Sequence, residues 1–362
     1  MPHAPTPDSP LQIDTSHPVL VTGATGYVAG WVIHRLLTAG VTVHGTVRNP
    51  ADEAKLAPLR TMAAGLPGQL KFFRADLMDA EAFGEAMDGC RTVFHTASPF
   101  RLDVRDAQRD LIEPAREGTR HVLTTANRTP SVQRVVLTSS CAAIYGDNAD
   151  VAAAPGGVLT EAIWNTTSSP THSPYSYSKT VAERTAWEIA SAQTRWTLVV
   201  VNPCLVLGPA IGGEATSESF TLMRQFGDGR MQAGVPDFGM GVVDVRDLAE
   251  AHVRAAYLPQ AAGRYIVAGH NSSLPEIARA LLPRFAAYPV PRRILPKWLI
   301  WLVAPLADRS MTRRIVSRNV GYAWAADNRK SREELGLTYR PLEVSVQDMF
   351  QQMIDTGRLP SR

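Results

Sequence analysis

The stretch VLVTGATGYVAG at positions 19–30 constrains the fold more than any other part of the sequence. Its first residues are apolar and β-branched and predict a strand, whereas those after the first glycines have helical spacing and predict a helix. Gly23, Gly26 and Gly30 allow a tight turn and let backbone N–H groups approach a pyrophosphate. A strand, a glycine turn and a helix in this order predict a dinucleotide-binding unit.

Short apolar runs continue to alternate with amphipathic segments up to about residue 201. The sequence predicts strands at 19–22, 42–47, 70–74, 92–96, 134–138 and 197–201, and helices at 28–37, 53–64, 80–87, 111–127 and 175–192. This alternation predicts the α/β class, with a Rossmann-type doubly wound parallel sheet. Beyond residue 203 the pattern loosens, and it predicts strands at 242–245 and 264–268 and helices at 246–257, 274–287 and 345–354.

These patterns divide the chain into three parts. Residues 1–17 are rich in Pro, Ser, Thr and Asp and are predicted to be a disordered tail. Residues 18–202 are predicted to form the Rossmann domain that holds the dinucleotide and the catalytic groups. Residues 203–362 are predicted to form mainly a smaller C-terminal substrate-binding lobe, with some segments returning to the Rossmann sheet.

Composition limits the classes of function. The formal net charge of +3 over 362 residues gives no basis for nucleic-acid binding. Cys90, Cys141 and Cys204 are widely spaced, which suits a reducing compartment and argues against a disulfide framework or a zinc site. No signal peptide is recognised, so we expect a cytoplasmic protein. We also expect no metal site, and a protein that is a monomer or a homodimer.

One apolar stretch, ILPKWLIWLVAPLA at 294–307, is too short for a transmembrane helix, which needs about 20 apolar residues. It also contains Lys297 and two prolines. We interpret it as a buried or lid helix. Trp298 and Trp301 leave a contact with a membrane surface as the alternative, because tryptophan is enriched at membrane interfaces.

The end of the second predicted strand indicates the cofactor. An NAD enzyme usually places Asp or Glu there, to accept hydrogen bonds from the ribose hydroxyls. This chain has Arg48 instead, 22 residues after Gly26. Its guanidinium suits the 2′-phosphate of NADP, and Lys55 could add a second cation. The sequence therefore predicts NADP(H), the alternative being that Arg48 is a solvated surface residue.

The ends of the next two strands predict further cofactor contacts. Asp76 follows the third strand, where a carboxylate can meet the adenine amino group. Thr96, Ala97 and Ser98 follow the fourth strand, where small side chains leave room for the cofactor. His95 is expected to pack or to form a structural hydrogen bond.

The stretch YSYSK at 175–179 carries the predicted catalytic groups. Tyr175 and Lys179 are four residues apart and share one helix face, whereas Tyr177 points elsewhere. The ammonium is expected to lower the tyrosine pKa from its usual value near 10, and to hold the nicotinamide ribose. Ser140, at a strand end, can bind the substrate oxygen. Together these residues predict hydride transfer with Tyr175 as the proton carrier.

The chain resembles the extended short-chain dehydrogenase/reductase superfamily, and most of all its group of dihydroflavonol, cinnamoyl-CoA and aldehyde reductases. The resemblance rests on VTGATGYVAG from 21, TVRNP from 46, ADL from 75, HTASP from 95, LTSS from 137, YSYSKTVAE from 175, NPCLVLGP from 202 and VDVRDLAEAH from 243. It implies that Ser140, Tyr175 and Lys179 are catalytic. The cofactor contacts that it implies are Gly23, Thr25, Gly26, Tyr27, Val28, Arg48, Lys55, Asp76, Leu77, Lys179, Pro203 and Leu205.

Two segments depart from the family pattern. Many extended members have G-T-x-N after the fourth strand, where this chain has GTRH at 118–121, so the support of the active-site backbone is not predicted. The loop 147–173 carries no substrate motif that we can match. Candidate pocket-lining residues are Phe100, Tyr145, Phe220, Leu222 and Met223.

The sequence favours an NADPH-dependent reductase that converts an aldehyde or ketone to the alcohol, reversibly. One alternative is a hydroxysteroid or sterol-type dehydrogenase, suggested by the tryptophan-rich segment. Another is a nucleotide-sugar epimerase or dehydratase, although Cys141 and Ala142 stand where dehydratases commonly have an acidic pair. A redox-sensing binding protein without catalysis is the third, although such proteins typically lose the tyrosine and the lysine.

Overall fold

The computed structural model describes residues 11–98, 106–213, 217–307 and 311–362. Its strands are β1 Val19–Val21, β2 Thr42–Val47, β3 Gln69–Arg74, β4 Thr92–His95, β5 Arg134–Thr138, β6 Thr197–Pro203, β7 Leu205–Leu207, β8 Val235–Pro236, β9 Gly239–Asp244, β10 Gly263–Val267, β11 His270–Ser273 and β12 Ile294–Leu295. Its α-helices are α1 Tyr27–Thr38, α2 Glu53–Ala64, α3 Gly84–Met87, α4 Glu113–Arg128, α5 Asn148–Ala153, α6 Pro174–Ser191, α7 Glu218–Asp228, α8 Val245–Tyr257, α9 Leu274–Phe285, α10 Lys297–Ala307, α11 Arg313–Asn319, α12 Arg329–Glu333 and α13 Leu342–Asp355.

A parallel sheet of seven strands forms the centre of the fold, in the order β10-β6-β5-β4-β1-β2-β3. The strand order reverses between β1 and β4, and the carboxyl ends of strands at such a point form a ligand crevice. Val19 and Val21 belong to one core cluster and Leu20 to another, because successive side chains point to opposite faces of a strand. The α/β, doubly wound prediction is confirmed.

The elements after Pro203 build a second layer of structure beside the sheet. β11, β9 and β7 form a three-stranded sheet, and β12 pairs with β8. A separate apolar cluster, which includes Phe226, Phe285 and Phe350, fills this lobe. β10 lies late in the chain but pairs with β6, so it extends the main sheet.

The helix predicted at 80–87 is shorter in the structure, where α3 begins only at Gly84. The side chain of Asp79 accepts a hydrogen bond from the backbone N–H of Glu81, and its carbonyl accepts one from Ala82. These local bonds form a turn that competes with the helix. The predicted helix at 111–127 is extended at its start by a π-helical turn, Gln108–Ile112.

The ordered part of the chain begins before residue 18, where the sequence predicted its start. Of the predicted disordered tail, residues 1–10 lie outside the described residues, but Leu11 and Ile13 pack against the core. Asp14 pairs with Arg91 at 2.9 Å. Hydrogen bonds from Ser16 and the nearby guanidinium lower the Asp14 pKa to about 2. The disorder prediction is therefore wrong for residues 11–17, because the apolar pair docks the segment onto the core.

The tryptophan-rich segment is not a buried helix. Within α10, Trp298 is 64% exposed and Leu306 is 87% exposed. The prediction of a buried helix is therefore wrong, because α10 packs one side on α11 and leaves the other uncovered by described residues. The alternative role of a lid stays a prediction. Among the described residues, no helix has the length and hydropathy to cross a membrane.

Candidate active site

The glycine turn leaves the beginning of α1 open. Gly23 has a φ of +67°, and a Cβ there would lie 3.0 Å from the Cβ of Ala97. Gly26 donates to the carbonyl of Gly23 at 2.8 Å and caps α1 without any side-chain hydrogen bond. On β2, Thr46 holds the turn by accepting from the Gly23 N–H at 3.1 Å. The first N–H groups of α1 have no acceptor within the helix and no side-chain cap, so they are available to a phosphate.

Three further residues of this turn were predicted to touch the cofactor. Thr25 is exposed at the turn. The hydroxyl of Tyr27 donates to the carbonyl of Gly208 at 2.5 Å, and Val28 packs against the core. The side chain of Tyr27 thus joins the two lobes, whereas that of Val28 belongs to the core beside the main sheet. Only their backbone N–H groups are left to contact a phosphate.

The two cations predicted to bind the 2′-phosphate differ in their surroundings. Arg48 is exposed, directly after β2, and forms no ion pair with any residue that the structure describes. Lys55 pairs with Asp52 at 3.0 Å, where Asp52 caps α2. Arg48 is therefore available to a dianionic phosphate, whereas the charge of Lys55 is already offset.

Thr22 organises the backbone beside the glycine turn. Its hydroxyl lies 2.9 Å from Nδ1 of His95 and accepts from the N–H of Ala97 at 3.0 Å. Thr96 donates its hydroxyl to the Thr22 carbonyl at 2.5 Å. Burial, and then the charge of Lys179, lower the His95 pKa to about 3, so the ring is neutral at pH 7. His95 has the structural role that the sequence predicted.

The loop after β3 was predicted to contact the adenine. Asp76 is exposed and accepts from the N–H of Met78 at 2.9 Å. Leu77 lies against Gly118, where a Cβ would approach its side chain to 3.2 Å. Nδ1 of His121 is 2.8 Å from the Leu77 carbonyl. His121, which replaces the asparagine of the family pattern, thus supports this loop.

Tyr175 and Lys179 lie near the start of α6. Ser173 has a φ of +53°, unusual for a residue with a side chain, and Pro174 occupies the first helical position. Nζ of Lys179 is 5.8 Å from the centre of the Tyr175 ring and donates to Oγ of Ser98 at 3.0 Å. The helix therefore places both groups, together with Ser98, at the carboxyl edge of the sheet.

The electrostatics of this pair differ from the expectation. Tyr175 is 50% exposed as a whole residue, but desolvation around its hydroxyl raises the pKa of the phenol to about 12; Glu218 adds to the rise, and Ser140 opposes it. Burial lowers the pKa of Lys179 to about 8. The expected lowering of the tyrosine pKa is therefore wrong for the chain alone. The phenol is protonated at neutral pH, as a proton donor must be.

Ser140 follows β5 in an extended conformation, with φ −164° and ψ 155°. Its hydroxyl accepts from the N–H of Ala142 at 3.1 Å, and it lies near enough to the Tyr175 hydroxyl to favour a lower phenol pKa. Its carbonyl accepts from Nδ2 of Asn202 at 3.1 Å. The three predicted catalytic residues, Ser140, Tyr175 and Lys179, thus lie in one cleft.

A buried network behind these residues was not foreseen. Glu183 is fully buried and accepts from Oγ of Ser139 at 2.5 Å and from Nδ2 of Asn202 at 2.7 Å. Arg264, from β10, donates to it at 2.6 Å. Glu183 follows Lys179 by four residues, and that spacing was the available signal. The network joins α6 to the carboxyl ends of β5 and β6 and to the start of β10.

The segment predicted to lie along the nicotinamide ends β6 and begins β7. Pro203 closes β6, and Leu205 packs partly into the second lobe. Between them Cys204 places its sulfur 2.6 Å from that of Cys141, and both are free thiols. In the described part of the chain, no group of His, Cys, Asp and Glu could hold a metal ion.

The predicted substrate-lining residues divide into two sets. Phe220 and Met223 are buried in the core of the second lobe. Tyr145 and Leu222 are only partly buried, with the Tyr145 ring 6.0 Å from that of Trp324. Phe100 lies outside the described residues.

Comparison with known proteins places these features in a family. Residues 19–269 match the model of the NAD dependent epimerase/dehydratase family. Cinnamoyl-CoA reductase 1 of Arabidopsis thaliana is 39% identical, over 78% of this chain and 80% of the relative. Anthocyanidin reductase of the same plant is 36% identical, over 78% and 85%.

A solved structure extends the likeness over nearly the whole chain. Gre2 of Candida albicans in complex with NADPH is 27% identical, with a TM-score of 0.76, over 94% of this chain and 99% of that one. The glycine turn, the cleft with Ser140, Tyr175 and Lys179, and these matches all indicate the same family. This chain belongs to the NAD dependent epimerase/dehydratase family, among its extended short-chain reductases.

Proposed function

We propose that this protein reduces an uncharged aldehyde or ketone to the alcohol, with Tyr175 as the proton donor. Its class follows from its relatives: it is an NADP-dependent oxidoreductase that acts on carbonyl groups. The observation that carries the finer proposal is the pairing of Tyr175 with Lys179 on one face of α6, where the ammonium lies 5.8 Å from the centre of the phenol ring.

The residues present fit a dinucleotide phosphate. The uncapped start of α1 and the close approach at Gly23 leave backbone N–H groups for the pyrophosphate. The guanidinium of Arg48, which forms no ion pair with a described residue, suits a 2′-phosphate. Lys179, already donating to Ser98, can donate to a ribose hydroxyl as well, because an ammonium has three N–H donors.

Bound NADPH supplies the hydride. The protein's own side chains position the substrate. Ser140 and Tyr175 donate hydrogen bonds to the carbonyl oxygen and stabilise the negative charge that develops there. Tyr175 then transfers its phenolic proton to that oxygen. The Lys179 ammonium stabilises the resulting phenolate, whose proton is replaced from solvent.

Two of the arginines that could bind the diphosphate in a nucleotide-sugar epimerase are already engaged within the protein. Arg246 is engaged by Asp244 and Asp348, each at 2.8 Å. Arg264 is buried against Glu183. These arginines hold the fold together.

Steady-state cofactor oxidation with a substrate panel tests the proposal. We expect turnover of benzaldehyde-type aldehydes or simple ketones with NADPH, and little with NADH. A cinnamoyl-CoA thioester and a 3-ketosteroid are further arms, which would redefine the substrate within the reductase class. Conversion of a UDP-sugar without added cofactor, and of none of the carbonyls, would contradict the proposal.

Replacing Arg48 with alanine should weaken NADPH binding by about 1.5–3 kcal/mol, since a charged hydrogen bond to the 2′-phosphate is lost. The affinity for NADH should not change. Lys55→Ala is the matched control, and it should have a small effect because Asp52 already pairs with this lysine. Fluorescence titration of both cofactors measures the two changes, and equal losses for NADPH and NADH would disprove the assignment.

A further inference from the structure

We propose that α10 binds this protein to the surface of an anionic phospholipid bilayer. The exposed side of this helix, the α10 face, consists of large apolar side chains at helical spacing. They are Trp298, Trp301, Leu302, Val303 and Leu306, with exposed fractions of 64, 37, 48, 49 and 87%. Ile294, just before the helix, is 55% exposed and extends the same apolar surface.

This concentration of apolar surface is unusual for a protein exposed only to water. Single exposed hydrophobic residues are common, as with Met78 and Val344 here. On the α10 face, in contrast, the residues are adjacent and include two tryptophans. Contiguous apolar patches of this kind mark sites of interaction with a partner or a membrane.

The positive charge of the sequence around α10 favours an anionic partner. The segment 286–326 holds seven Lys and Arg against one acidic residue, so its formal charge is +6 while the whole chain has +3. The rest of the chain is therefore at −3. Of the cations in the segment, Arg318 is offset by Asp147 and Asp150 from outside the segment. Basic residues around an apolar helical face are the features that bind anionic lipid, by attraction to the headgroups and burial of the apolar side chains.

Four exposed arginines flank α10 in the chain. Arg292, Arg293, Arg313 and Arg314 are exposed in the segments directly before and after α10. The guanidinium of Arg313 lies 4.5 Å from the centre of the Trp301 ring. Together these arginines form a basic rim, which can contact phosphate while the tryptophans enter the interface.

The same positive charge disfavours a second copy of this protein as the partner of the α10 face. A second copy docked symmetrically on the α10 face would bring two basic rims together, since a twofold interface uses the same patch on both subunits. With 11 residues, α10 is too short to cross a bilayer. A helix with an apolar face and a basic rim lies in the plane of the interface instead.

Sedimentation of the full chain with vesicles tests the proposal. We expect binding to phosphatidylcholine vesicles that contain phosphatidylserine, at least tenfold weaker binding to phosphatidylcholine alone, and loss of binding in high salt. Brominated lipids in the binding vesicles should quench tryptophan fluorescence. Absence of binding, or equal binding to both vesicles, would overturn the proposal.

Two variants separate the parts of the surface. Trp298→Ser with Leu306→Ser removes apolar area, and Arg292→Glu with Arg293→Glu reverses part of the rim; each should reduce binding at least tenfold. Val344→Ser, at an exposed apolar residue elsewhere, should bind like the unmodified protein. Thermal unfolding and NADPH oxidation in solution report that each variant is folded, because none of these residues lies in the cleft.

Light scattering distinguishes a membrane contact of the α10 face from a contact with a second copy of this protein. The unmodified protein should have the same mass as the Trp298→Ser, Leu306→Ser variant in the absence of vesicles. A dimer that this variant dissociates, without vesicle binding by either protein, would show that a second copy covers the face. Vesicle binding that the variants leave unchanged would place the contact elsewhere and would also overturn the proposal.

Discussion

Tyr175→Phe is expected to lower kcat for carbonyl reduction by about 10²–10⁴-fold, the usual contribution of a positioned proton donor. The affinity for NADPH should not change, since the phenylalanine ring keeps the shape of the side chain. Stopped-flow or steady-state cofactor oxidation measures kcat, and fluorescence titration measures binding.

Tyr177→Phe is the matched control, because it removes a hydroxyl two residues away that does not share the face of Lys179. It should keep most of the activity. If Tyr177→Phe is the inactive variant and Tyr175→Phe is active, the assignment of the proton donor is wrong.

The pH dependence follows from the same two groups. The raised pKa of Tyr175, about 12, keeps the donor protonated through neutral pH. The lowered pKa of Lys179, about 8, means that the cation is present below this value and is lost above it. We therefore expect kcat/KM for NADPH, which reports the free enzyme, to fall as the pH rises through about 8.

Arg264→Met should lower the free energy of unfolding by about 3–5 kcal/mol, since it leaves the buried Glu183 carboxylate without its cation. The double variant Arg264→Met, Glu183→Gln should be destabilised less than the sum of the two single variants. Denaturant unfolding of the four proteins completes the cycle.

Arg128→Ala is the control for this prediction. Arg128 pairs with Glu81 at 3.0 Å, but the two side chains are 52% and 76% exposed. Such an exposed pair contributes about 0–1 kcal/mol. If Arg264→Met costs no more than Arg128→Ala, the network does not stabilise the fold as we infer.

The sequence predicted the regular elements of the dinucleotide-binding half well. β2, α2 and β5 begin and end at the predicted residues. In α2 the limits follow from local chemistry, because Asp52 caps its start and Gly65 follows its last residue. The glycine turn and the shared helix face of Tyr175 and Lys179 are likewise short-range patterns.

The features that were not predicted from the sequence depend on contacts between residues that are distant in the chain. The Glu183–Arg264 pair forms only because β10 returns to lie beside β6. The pKa of Tyr175 depends on burial and on Glu218, neither of which is visible in the YSYSK motif.

The exposure of α10 has the same kind of cause. Its apolar composition indicates burial, but burial needs a second surface to cover it. Only the tertiary structure shows that one side of the helix has no cover among the described residues. The prediction of the tail at 11–17 failed for the converse reason, since two apolar residues sufficed to dock it.

The most direct test of the account follows the hydride itself. NADPH deuterated on one or the other face of the nicotinamide is incubated with the aldehyde or ketone turned over fastest, and the alcohol is analysed by mass spectrometry. We predict one deuterium on the carbinol carbon, from one face only, in equal amount to the NADPH oxidised. Alcohol without deuterium from either face, or NADPH that is bound but never consumed, would contradict the assignment of this protein as an NADPH-dependent carbonyl reductase.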